Sequence, residues 1–165
     1  MIYRAKRSTG FSLLKLMIVI VIMGIVAIVI IGILAAVAIP RMSRGSAGAA
    51  DAALRGDLLV LRSAIDMYAG EHTGQYPAAA TIEDQLTQYT DISGATSATK
   101  TATHIYGPYL RKSPPLPVGA KKGNTTIAAN SGGSVGWKYT AATGAIQANT
   151  TGSEADSSGK LYRDY

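Results

Sequence analysis

Few side chains in this chain have the type and spacing for chemistry. The two histidines, His72 and His104, stand apart and share no ligand spacing with a carboxylate. There is no cysteine, which excludes disulfides, thiolate nucleophiles and thiolate-bound metal. The serines have no nucleophile-elbow setting, and no glycine-rich phosphate loop lies between a strand and a helix. Histidines at a helix end and in a loop read as ordinary surface residues. The residues therefore assign no catalytic and no cofactor-binding side chain, and the protein is expected not to be an enzyme.

What the sequence does carry is a long apolar element. From Leu16 to Ile39 no charged or amide side chain occurs, with Lys15 at one end and Pro40-Arg41 at the other. That exceeds the roughly 18 apolar residues that mark a membrane-spanning helix. At ~1.5 Å per residue the run reaches about 36 Å, enough for a hydrocarbon core with some tilt. Arg4, Lys6 and Arg7 precede it, the positive-inside signal for a cytoplasmic N-terminus and a C-terminal domain across the membrane. Three of the 16 basic residues thus serve topology; beyond Gly10 there remain 13 against 10 acids, +3, with no basic stripe for nucleic acid. The remainder of the 165 residues suffices for one small domain.

Three readings of the N-terminus are open on the residues alone. Ala36-Val37-Ala38 offers a small-x-small signal-peptidase site, but the run is long for a secretory signal, and Pro40 would then be second in the mature chain. An uncleaved signal anchor is the second. The third comes from KRSTGFSLLKLMIVIVIMGI and GILAAVAIPRM. These resemble the N-terminus of the type IV pilin-like family, most of all the major pseudopilins of type II secretion. The resemblance implies that a prepilin peptidase cuts between Gly10 and Phe11 and that the Phe11 amine is N-methylated. It also implies an α+β, pilin-like fold, with a long N-terminal helix packed on a small antiparallel sheet.

Two departures from the family pattern stand out. The family has a glutamate where this chain has Lys15, the assembly position. That acid offsets the N-terminal amine of a neighbouring subunit, whereas Lys15 places two like charges together; an unpaired buried charge costs several kcal/mol. The second is length. GIVAIVII (residues 24–31) is followed by GILAAVAI (residues 32–39), identical at five of eight positions. Such an insertion adds about 12 Å and rotates the helix ends by about 80°. At Pro40 a kink or local unwinding is expected.

Beyond Pro40 the residues predict a further helix to about His72, with Leu54, Leu58, Leu61, Ile65 and Tyr68 at 4-3-4-3 spacing as its inner stripe. Thr81-Ile-Glu-Asp84 predicts the start of a short helix to about Tyr89. Residues 91–103 read as a surface loop, and Pro108, Tyr109, Leu110 and Arg111 resemble the pseudopilin step into the sheet. Residues 124–129 predict a strand; residues 135–139 and 145–148 predict a hairpin with Trp137 and Tyr139 on one face and Ile146 across from them. The tail from Gly152 reads as polar and loose, with Leu161 and Tyr162 as anchors. The organisation is then a leader (1–10), an assembly helix (11–40), its periplasmic continuation (41–72), a variable connection (73–123), and sheet plus tail (124–165).

The resemblance implies a structural subunit. It waits in the bacterial inner membrane, single-pass, with its C-terminal domain in the periplasm. Its partners are like subunits and minor pseudopilins, the prepilin peptidase, a platform protein and an assembly ATPase, with no nucleic acid. A type IV pilus or DNA-uptake pilin is the alternative within the family, and a membrane-anchored periplasmic enzyme or binding module the alternative outside it. Major pseudopilins often hold calcium in an acidic C-terminal loop. Here Glu154, Asp156 and Asp164 are the only acids after Asp91, a thin set for an ion that takes about six to eight oxygens, and no metal is expected.

Overall fold

The computed structural model describes residues 13–165, with the side chains of 37–44 left aside; Gly10 and Phe11 lie outside the described residues. The chain divides into a first unit that ends at Gly45 and a second, Ser46–Tyr165. Helix α1 runs Leu13–Glu71 and α2 Ile82–Thr87. The strands are β1 (Tyr89–Thr90), β2 (Thr96–Ser97), β3 (Thr126–Ala128), β4 (Val135–Thr140) and β5 (Ala145–Ala148), followed by a 3₁₀ turn at Tyr162–Asp164. The protein is therefore a mix of helix and small sheets, α+β in class.

In the first unit α1 is one apolar helix. Its stretch Leu13–Ala36 is long and apolar enough to cross a membrane, and none of it is buried among the described residues. The helical assignment continues through Pro40 without unwinding.

In the second unit the 4-3-4-3 stripe does what its spacing requires. Leu54, Leu58, Leu61, Ile65 and Tyr68 are buried together with Ile82, Leu86, Leu116, Trp137, Tyr139 and Ile146 in one core. Each fully buried Leu or Ile contributes about 1.5–3 kcal/mol of transfer free energy. The helix stops where Thr73 (φ +57°) and Gly74 (φ +82°) turn left-handed, and the Gly74 N–H donates back to the Ala69 carbonyl at 2.8 Å. That six-to-one bond satisfies a carbonyl the helix would otherwise leave open.

The hairpin forms in the expected register, with Tyr139 opposite Ile146 and Trp137 opposite Ala148. The sheet is not wholly antiparallel, however: β3 pairs with β4 in parallel. Parallel neighbours usually need a long crossover, but β3 has three residues and is only about 10 Å long. The segment 129–134 can therefore return the chain to its start. Two further expectations change. Tyr89 leaves the short helix for β1, and β2, inside the expected surface loop, pairs with it antiparallel. Thr81 holds the N-cap position of α2 without a side-chain cap; Glu83 instead accepts the edge N–H of Ile127 at 2.7 Å.

Candidate functional site

Polar side chains converge at two places in the second unit, the C-terminal tail and the end of α1. The tail is not loose. Ala155 pairs with Leu161, and the Tyr165 ring lies between two cations, Lys160 at 4.1 Å and Arg55 at 5.1 Å from its centroid. The Tyr165 hydroxyl accepts from Arg55 Nη2 at 2.9 Å and donates to Asp156 Oδ2, while Arg62 Nη2 donates to the Tyr165 main-chain oxygen at 2.6 Å. Arg55 and Arg62 are one face of α1, so the last residues are strapped across the helix. The sequence hid this, because the partners stand more than 100 positions apart.

The three calcium candidates sit in this tail, but the fold does not bring them together as ligands. Glu154 accepts the N–H groups of Thr151 and Ala120, which hold its carboxyl below the usual range. Asp156 Oδ1 accepts from the Ser158 hydroxyl, the Ser158 N–H and the Lys160 N–H at 2.7–2.9 Å, and Oδ2 faces Tyr165 and Arg55. Asp164 pairs with its neighbour Arg163 at 3.7 Å. Among the described residues no group of three or more His, Asp or Glu is placed to hold a metal ion.

The Tyr165 hydroxyl, then Ser158, hold the Asp156 carboxyl well below its ordinary value. A depressed carboxylate contributes stability that is present above its unfolded value, about 3.9, and is lost as pH falls through the folded one. The strap is therefore expected to become protease-sensitive only below about pH 4. Limited digestion with an acid-active protease reads this, and Asp156→Asn should make the tail sensitive at neutral pH as well.

At the end of α1 the structure corrects the reading of His72 as a surface residue. Its ring is 2% exposed and stacks on Tyr68 with centroids 3.8 Å apart. Nδ1 lies 2.8 Å from the Tyr68 carbonyl, and Nε2 lies 2.9 Å from the Asp91 carbonyl and 3.1 Å from Thr90 Oγ1. The missed signal was the stripe itself, which one more step of four carries from Tyr68 to His72. His104 bonds locally to the Thr101 and Thr103 hydroxyls.

Lys15 is exposed in the first turns of α1, and Pro40 lies within the same helix. Two surface depressions, about 320 and 340 Å³, share Glu83 and Asp84 beside the β3 edge. The first also carries Arg111 and Lys112. Both are open and carry the Glu83 and Asp84 carboxylates, unlike the enclosed, mostly apolar form of a small-molecule site. No family model, no curated protein and no solved structure matches the chain.

Proposed function

We propose that the chain is a pilin-like structural subunit, a pseudopilin of type II secretion, that polymerises from the inner membrane to help export folded proteins. The carrying observation is one continuous helix, Leu13–Glu71, that directly follows the Gly10–Phe11 junction. Its first part is an unburied apolar span, and its later part is the core of a small α+β unit. A span left unburied among the described residues is covered by lipid before assembly and by neighbouring helices after it. Lys15 replaces the acid that assembly in this family uses, so this subunit meets its neighbours with a different charge at that position.

N-terminal mass spectrometry of the membrane-extracted protein tests the reading. The expected species begins at Phe11 and carries one methyl group on its amine. An intact Met1, or an N-terminus at Ile39 left by a signal peptidase, sinks it.

A further inference from the structure

Every charged side chain in residues 1–50 is basic. Arg4, Lys6, Arg7 and Lys15 precede the apolar run, Arg41 and Arg44 follow it, and the first acid in the sequence is Asp51. Asp51 is further from Lys15 than the ~20 residues a helix needs to cross a hydrocarbon core. Lys15 is the one charged side chain of the stretch Leu13–Ala36, and it is exposed. One and two turns on, Ile18, Val19 and Ile22 fall on the same side of α1, and all three are exposed. That side of the helix is an apolar ridge with a cation at its end.

Lipid and a neighbouring helix meet that cation differently. With lipid around the span, the long stem of Lys15 lets its ammonium reach the headgroups. Neighbouring helices exclude those headgroups, and an ammonium held among apolar side chains is costly unless a carboxylate meets it. A second copy of this chain does not supply one. Copies thread the membrane in the same direction, because each carries the same basic flank. Side by side, they set Lys15 against Lys15. Staggered, they set it against the uncharged run Leu16–Ile39 or against the basic flank.

We propose that the Lys15 ridge is the contact site for a different single-span chain, one that carries a carboxylate at the depth of Lys15. This rests on the reading of the span as an assembly helix and adds the kind of neighbour it takes. The partner's carboxylate meets the Lys15 ammonium as an ion pair, and its apolar side chains pack on Ile18, Val19 and Ile22. The same charge that favours an acidic neighbour repels a like one, so it selects as well as binds. The chain therefore enters a mixed bundle beside an acidic helix, not a row of its own copies.

Fluorescence energy transfer between full-length chains in phosphatidylcholine vesicles tests this, with Lys15→Glu as the probe that supplies the acid. The chain has no cysteine, so Lys100→Cys, in an exposed loop, carries the donor or acceptor dye. Wild type with Lys15→Glu is expected to associate about tenfold more tightly than either like pair. The preference should vanish when Lys15→Met replaces the wild type, and should fade as acid protonates the introduced carboxyl. Unchanged Trp137 fluorescence shows that the second unit stays folded in each variant. Wild type that binds itself as tightly as it binds Lys15→Glu overturns the proposal and makes a second copy the occupant. Wild-type association that appears only when anionic lipid is added overturns it in favour of a lipid headgroup, and so does the absence of association in every pair. None of these readouts involves cleavage. An intact Met1 together with a tenfold preference for the unlike pair would sink the pilin reading and keep the ridge.

Discussion

Replacing Leu58 with Ala is expected to lower the unfolding free energy of the second unit by about 2–5 kcal/mol. Leu58 is 1% exposed, in the middle of the inner stripe of α1, in the cluster that includes Trp137, Tyr139 and Ile146. The loss has two parts, the transfer free energy of the deleted carbons and the cavity left where the rigid helix and sheet cannot close together. At the low end this is already about a thirtyfold change in the folded-to-unfolded ratio. Trp137 is the only tryptophan, fully buried, with its indole N–H donating to the Pro114 carbonyl at 2.8 Å. Its fluorescence during denaturant unfolding of the full chain in micelles therefore reports this core. Leu59→Ala, one position on and 70% exposed, is the matched control and should shift the midpoint little. Equal effects of the two would mean that the stripe does not face the core.

The second large effect is expected at Gly136. Its neighbours Val135 and Trp137 pair with Thr126 and Ile127, so Gly136 is the extra residue of a bulge in the parallel pair. A Cβ there would lie 2.2 Å from the Asn124 carbonyl oxygen and 2.9 Å from its carbon. Both are backbone atoms, so no side-chain rotation relieves the contact, and β3 must shift away from β4. Gly136→Ala is expected to cost about 1–3 kcal/mol, as overpacking of a well-packed interior does. Circular dichroism during thermal unfolding measures this without relying on Trp137. Gly133→Ala, where a Cβ meets nothing within 4 Å, should leave the transition in place. An unchanged transition in Gly136→Ala would show that the β3–β4 contact is looser than the close approach of Asn124 demands.

The sequence by itself determined the features that local periodicity controls. The apolar run from Leu16 and the 4-3-4-3 stripe from Leu54 to Tyr68 each repeat along one helix, so their burial or exposure follows from spacing and composition alone. The hairpin register that sets Tyr139 against Ile146 follows from a short loop ending in Gly144, whose φ of +69° a glycine supplies. The tertiary structure decided the rest. The parallel seat of β3 depends on Gly136 and Asn124, twelve positions apart, fitting closely. The Tyr165 strap depends on Arg55 and Arg62, more than a hundred positions from the residue they hold. His72 was legible as a helix-end histidine, but its Asp91 carbonyl and Thr90 hydroxyl partners exist only once the hairpin folds back onto α1. A side chain's chemistry is set by the groups that surround it, and in each of these cases those groups are brought there by closure of the chain over distances no local pattern records.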